Sequence, residues 1–280
     1  MAIFSSEHCL RRGLGVAALT ASLLILNFAP AHAAACGNGP AGFEAWLSAF
    51  KGRAAAQGIS ARAIAAGLDG VSYDAKVVRL DRSQHSFKLS FQQFYARRVS
   101  GGMIAKGKRL MQTHSATLAR MEQRFGVPPA IVVAIWGLET NYGSQGGGGF
   151  SIVRSLATLA YDCRRSAFFE KNLVAALKII DRGDMSAGQL RGGWAGEIGQ
   201  TQFLPEAYVK YAVDFDGNGR RDLVHSVPDV LASTASFLKA HGWKRGAPWG
   251  PGTANYGVIT EWNRADVYVR TIAAMADQLN

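Results

Sequence analysis

From Val127 to Leu138 the sequence reads Val-Pro-Pro-Ala-Ile-Val-Val-Ala-Ile-Trp-Gly-Leu, a run without a charged side chain or a polar face at helical spacing. A helix that is apolar on every side has to be wrapped by other elements. It is also well short of the roughly 20 residues needed to span a bilayer. The segment therefore predicts the buried centre of a globular fold. It runs directly into Glu139-Thr-Asn-Tyr-Gly143, which places a carboxylate where the helix leaves the core. Burial disfavours the charged form and the negative end of the helix dipole repels it, so Glu139 is expected to keep its proton to unusually high pH. A carboxylic acid held protonated near neutrality is what general-acid cleavage of a glycosidic bond requires. The plainer alternative is that Glu139 leaves the core and pairs with an arginine such as Arg164.

The rest of the chain supplies helices to wrap that centre. Phe43, Trp46, Leu47, Phe50 and Ala54 recur at helical spacing before Gly58, and Met103, Leu110, Met111, Leu118, Met121 and Phe125 predict one long helix ending at Gly126. Further helices are expected over 152–161, 167–181, 206–213, 228–240 and 264–279, with Pro128, Pro205 and Pro228 at first-turn positions. A short strand or two is expected within 246–262. Long loops fall at 139–150, 183–204 and 214–227, and loops of that length inside a compact chain usually carry function. With 48% hydrophobic and 18% charged residues, the 280-residue chain has a composition that excludes a disordered or fibrous polymer.

The N-terminus predicts export. Arg11 and Arg12 precede an apolar stretch from Gly13 to Phe28, then Pro30 and Ala31-His32-Ala33, the pattern of a signal peptide over 1–33. No transmembrane span is expected elsewhere, and the expected location is the periplasm. The full chain carries a net charge of +11, and removal of 1–33 leaves 29 basic against 19 acidic residues. Such a protein is drawn to polyanions. The basic pairs Arg97/Arg98, Lys108/Arg109, Arg164/Arg165 and Arg220/Arg221 are scattered, however, and do not form the stripe of a nucleic-acid binder. Cys36 and Cys163 would be the cysteines left after cleavage, and in an oxidising compartment they are expected to form a disulfide. A lipid on Cys36 is the alternative, disfavoured because Ala33 stands three residues before it.

Two loops carry further chemistry. Asp214-Phe-Asp216-Gly-Asn218-Gly-Arg220-Arg-Asp222 has oxygen donors at alternate positions around a Gly, a pattern suited to a calcium ion. His225 occupies the position where a bidentate carboxylate is usual, so Asp229 is expected to complete the set. Gly192-Gly-Trp194-Ala-Gly-Glu197-Ile-Gly-Gln200-Thr-Gln202-Phe203 offers aromatic faces for sugar rings, amides, and glycines that admit a close approach. No serine-hydrolase elbow, zinc-binding His-Glu-x-x-His or phosphate loop is present in the sequence.

Taken in order, Gly126-Val-Pro-Pro129, Gly137-Leu-Glu-Thr140, Ser155-Leu-Ala-Thr-Leu-Ala160, Arg164-Arg165, Ala195-Gly196, Gly199-Gln-Thr-Gln-Phe203, Tyr211-Ala-Val-Asp-Phe215, the Asp loop and Lys239-Ala-His-Gly-Trp243 resemble the membrane-bound lytic murein transglycosylase B family. The resemblance covers roughly residues 40 to 280. It implies a mainly α, α+β lysozyme-like fold: an N-terminal helical domain over 34–125, a lysozyme-like core over 126–245 with an EF-hand-like calcium loop over 214–229, and a C-terminal segment, 246–280, returning to the helical domain. It also implies a lyase of peptidoglycan glycan strands that uses no organic cofactor. Cleavage would be non-hydrolytic, between N-acetylmuramic acid and N-acetylglucosamine, leaving a 1,6-anhydromuramoyl end, with Glu139 the sole acid and base. Arg164, Arg165, Gln202 and Phe203 should line the glycan groove, joined by Trp262, Asn263 and Tyr268. The chain departs from the family pattern at Gly193, where Ser is common, and at Phe94, Phe237 and Trp262, where Tyr is common. Glu197 replaces a small residue and is the one other carboxylate that could act there. The rival implied function is a catalytically silent peptidoglycan binder of the same fold.

Overall fold

The computed structural model describes residues 36–84, 89–145 and 147–280, so the signal peptide expected over 1–33 lies outside them. Thirteen helices and one two-stranded ribbon follow in order among these residues. They are α1 (Phe43–Ala56), α2 (Ala61–Leu68), α3 (Ala75–Arg82), α4 (Phe91–Arg98), α5 (Gly101–Thr113), α6 (Ser115–Phe125), α7 (Pro129–Thr140), β1 (Phe150–Ser151), α8 (Ile152–Tyr161), α9 (Ser166–Asp181), β2 (Arg191–Gly192), α10 (Pro205–Tyr211), α11 (Val227–Ala240), α12 (Ala254–Trp262) and α13 (Asp266–Leu279). The fold is mainly α, and β1 pairs antiparallel with β2, Phe150 opposite Gly192.

Local chemistry sets the ends of these helices. Ser60, Ser90, Ser100, Ser226 and Thr253 each accept a backbone N–H of their own first turn, which satisfies donors the helix cannot. Pro128, Pro205 and Pro228 stand at helix starts, where a missing N–H costs nothing. Two expectations need correction. The single helix expected through Met103–Phe125 breaks at His114, which closes α5, opens α6 and turns its ring edge-on to Trp136 of α7, centroids 6.1 Å apart. Three helical-periodic residues on either side of the break gave no sign of it. Within 246–262 no strand forms, and Ala254–Trp262 become α12, because Thr253 caps its start and Val258 and Ile259 turn inward.

Every residue of α7 from Ala130 to Leu138 is buried. Helices α5, α6, α11 and α13 enclose it, with α13 the most extensive neighbour of α7. A second stack joins α8 and α9 to α1, α2, α3 and α10. The chain start is tied to this stack by the disulfide Cys36–Cys163, whose Cα atoms are 5.0 Å apart, by Gly37 N donating to Tyr161 O at 2.9 Å, and by the Tyr161 hydroxyl donating to Ala41 O. Trp46 stacks on Phe50 at 5.3 Å, and Phe43 meets Tyr161 edge-on at 5.6 Å. The described residues form one compact unit, and no helix among them is long and apolar enough to cross a membrane.

Candidate active site

The end of α7 is pinned so that Glu139 has one place to go. Thr140 Oγ1 donates to Gln200 O at 2.6 Å and accepts from Gly143 N at 2.9 Å. Asn141 and Tyr142 follow with φ of 50° and 59°, a left-handed pair that non-glycine residues adopt only where surrounding contacts enforce it. Tyr142 is so enforced: its hydroxyl donates to Met103 O at 2.9 Å, and its ring lies over Gly137, where a Cβ would stand 2.9 Å from it. Two cations meet the carbonyl end of the helix, Arg98 donating to Leu138 O at 2.5 Å and Lys106 to Asn141 O at 2.9 Å. They counter the dipole effect expected at Glu139. The carboxyl is nonetheless pushed above the ordinary glutamate range, first of all by burial, against the pull of Trp262, Tyr268 and Arg98 and with help from the charge of Glu197.

Glu139 Oε1 accepts from Trp262 Nε1 at 3.0 Å and from Tyr268 OH at 2.9 Å. Burial, and then the adjoining Glu139, keep the Tyr268 phenol well above its usual range, so it remains a donor. With one oxygen taken by two donors, the proton of the acid form belongs on Oε2. Glu139 faces a cavity of about 440 Å³ shared with Glu197, Gln202, Phe203, Leu204, Ala207, Phe237, Glu261, Trp262 and Asn263. Its aromatic wall is braced edge-to-face: Trp262 meets Phe203 at 5.3 Å and Phe237 at 5.1 Å. Gln202, at φ 54°, donates to Gly199 O at 2.7 Å and to Gly147 O at 3.2 Å, tying together two loops beside the cavity. Asn263 accepts from Ala265 N at 3.0 Å ahead of α13.

Of the residues singled out in the sequence, the structure thus gathers Glu139, Gln202, Phe203, Trp262, Asn263 and Tyr268. It does not bring Arg164, Arg165, Trp194 or Gln200 to the cavity lining. Arg164 pairs with Asp81 at 3.1 Å and Arg165 contacts the same carboxylate, so neither neutralises Glu139. Trp194 packs half-buried on the core. Gln200 is an internal strut: its Oε1 accepts from Trp136 Nε1 and its Nε2 donates to Val224 O, both at 2.8 Å. Sequence reasoning missed Arg98 and Glu261. Arg98 lies 40 residues from the carbonyl it caps, a separation no local pattern bridges; Glu261 is the neighbour of Trp262, and helical placement of that segment would have found it.

In the acidic loop, carboxylate oxygens of Asp214, Asp216 and Asp229 lie within 4.8 Å of one another. Asp229 is fully buried and accepts from Phe215 N at 2.7 Å and Asp222 N at 2.9 Å. Three converging hard-oxygen donors fit a divalent cation such as calcium. Asp222 is not among them, since it caps the next turn through Val224 N and His225 N at 2.9 and 2.8 Å. The Asn218 side chain turns to Arg220 N at 2.9 Å.

A mainly helical body with one buried glutamic acid opening onto an aromatic-walled cavity is the lysozyme-like arrangement. The sequence profile described as Transglycosylase SLT domain matches residues 42–253, and this chain belongs to that family. Membrane-bound lytic murein transglycosylase B of Escherichia coli (strain K12) is 37% identical over 144 residues, which are 51% of this chain and 39% of that protein. The chain therefore matches about two fifths of the length of that curated relative. Among solved structures, SltB3 from Pseudomonas aeruginosa in complex with NAG-anhNAM-pentapeptide superposes with a TM-score of 0.78 at 34% identity, covering 85% of this chain and 79% of that one. The Escherichia coli lytic transglycosylase Slt35 in complex with calcium gives a TM-score of 0.72 at 23% identity, covering 83% of this chain and 92% of that one. It shares the fold.

Proposed function

We propose that this protein is a lytic transglycosylase of peptidoglycan, cutting the bond from N-acetylmuramic acid to N-acetylglucosamine without water. The observation that carries the reading is the setting of Glu139: buried enough to favour the acid, one oxygen held by Trp262 and Tyr268, the other left for substrate. Oε2 gives its proton to the glycosidic oxygen as the bond to the muramoyl C1 breaks. The muramoyl 6-hydroxyl then attacks C1 and its proton passes to the Glu139 carboxylate, restoring the acid and closing a 1,6-anhydro ring. One acid/base residue serves both halves, whereas hydrolases of the paired type need a second carboxylate as nucleophile or water-activating base. Phe203, Trp262, Gln202 and Asn263 would hold the sugars in the cavity. The complex of SltB3 with an anhydromuramoyl peptide, and the lytic activity named for the Escherichia coli relative, support this chemistry.

The same reading takes 34–125 as a helical domain, 126–245 as the catalytic core and 246–280 as a segment that adds α12 and α13 to both. Asp214, Asp216 and Asp229 would hold a calcium ion that supplies cohesion to the loop, as the calcium complex of Slt35 suggests. Secretion to the periplasm follows from the substrate and from the N-terminal sequence pattern. The test is mass spectrometry of material released from purified sacculi. Muropeptides lighter by one water than hydrolysis products are expected from the native protein, and none from Glu139→Gln, which keeps the volume of the side chain. Dominant reducing ends would overturn the mechanism, and binding without release would identify a silent binder.

A further inference from the structure

The cavity holds more than one carboxylate, and one of them is built in with care. Glu197 Oε2 accepts from Ala195 N at 3.0 Å, and the loop closes on itself as Gly193 N donates to Glu197 O at 2.9 Å. A Cβ on Gly193 would overlap Glu197 Oε2 and come within 2.8 Å of its Cδ, so the carboxylate occupies the space a side chain at 193 would fill. The side chain lines the same cavity as Glu139. A turn pin would need only the Ala195 contact. Seating a half-buried carboxylate on a glycine, facing the acid, calls for a further reason.

We propose that Glu197 is a positioning residue for the reaction, its carboxylate supplying the like charge across the cavity that keeps Glu139 the proton-bearing acid. The inference rests on the lytic reading of the site. Neighbours from each element divide as it requires. From α4, Arg98 favours the Glu139 carboxylate while donating to Leu138 O; from α13 and α12, Tyr268 and Trp262 donate to one oxygen only. Glu261 of α12 is exposed, so solvent screens it. Burial raises Glu197 above the ordinary glutamate range as well, against the pull of its own amide, the Ala195 amide and the Arg165 guanidinium at the head of α9. Among the described residues, no lysine, arginine or histidine lines the cavity. The charge of Glu197 opposes loss of the proton from Glu139, as in other carboxylates that share a site.

The test is the pH profile of muropeptide release by the full-length protein. Glu197→Gln keeps the shape and can still accept from Ala195 N. The high-pH limb should move to lower pH, with the rate at the native midpoint falling about threefold and the low-pH plateau kept within about twofold. Gly193→Ser combined with Glu197→Ala refills the space without charge and should give the same displacement, which guards against a folding defect in the first variant. Coincident pH profiles for both variants and the native protein would overturn the proposal while leaving the lytic reading intact. Absence of anhydro products from the native protein would instead overturn the lytic reading. A loss of rate equal at every pH would also overturn the proposal, since it marks Glu197 as a structural pin.

Discussion

Glu139 is a residue whose usefulness is at odds with stability. A carboxyl titrating above its ordinary range in the fold binds its proton more tightly folded than unfolded, so the folded state is favoured at low pH. That advantage is lost as pH rises from the ordinary glutamate range through the raised one. Glutamine does not titrate and can still accept from Trp262 and Tyr268. Glu139→Gln should therefore melt close to the native protein near pH 4 and on the order of a few degrees higher at pH 7.5, while releasing nothing from sacculi. Thermal unfolding followed by circular dichroism at the two pH values checks this, and a gain independent of pH would contradict it. The identity of Glu139 as the candidate acid was legible because an unbroken apolar helix ends on it. The donors on its Oε1 were not, since they stand 123 and 129 residues away.

At the scale of elements, α7 is held by close backbone approach as much as by side chains. A Cβ on Gly137 would stand 2.8 Å from Met275 Cε and 2.9 Å from the Tyr142 ring. Met275 can yield, but the ring is fixed by its bond to Met103 O. Gly137→Ala is expected to cost about 1–3 kcal/mol by overpacking, read as a lower urea midpoint at unchanged slope, and to reduce release by shifting Glu139. The acidic loop makes a separate claim. If calcium binds the native state alone, the stabilisation is RT ln(1 + [L]/Kd), about 2.7 kcal/mol at a hundredfold excess over Kd. Added Ca²⁺ should raise the melting temperature and chelator should lower it. Asp214→Ala with Asp216→Ala should abolish the response and keep cleavage measurable below its own melting point. A melting temperature indifferent to both Ca²⁺ and chelator, or a folded double variant without activity, would contradict it.

Across the whole molecule, the disulfide closes a sequence separation of 127 residues and joins the start of the described chain to the α8–α9 turn. Its reduction should lower stability by about 2–5 kcal/mol, seen as a fall in the guanidinium midpoint with dithiothreitol that Cys36→Ala with Cys163→Ala reproduces. Quantitative alkylation of the native protein without reductant would contradict it. Half of the residues in the scattered basic pairs hold a partner within the fold: Arg98 caps α7, Arg164 and Arg165 meet Asp81, and Arg221 meets Asp184 at 3.1 Å.

The sequence by itself determined the buried helix and the acid at its end, because both rest on spacing within one short segment, and it held Asp214, Asp216 and Asp229 within a wider expected ligand set that also took in Asp222, which the structure turns away; the class of fold followed from helical periodicity along the whole chain. It also located most helices, whose apolar periodicity and caps are local. The short helices α2, α3 and α4, the break at His114 and the helix over Ala254–Trp262 escaped it, since packing against neighbouring helices settles segments with so few periodic residues. Only the tertiary structure decided which distant residues meet: Trp262 and Tyr268 at Glu139, Gln200 as a strut under α7, Arg164 and Arg165 turned to Asp81, and Glu197 seated on Gly193. Such encounters follow from how helices cross, a property of the whole packed chain that no window along the sequence contains.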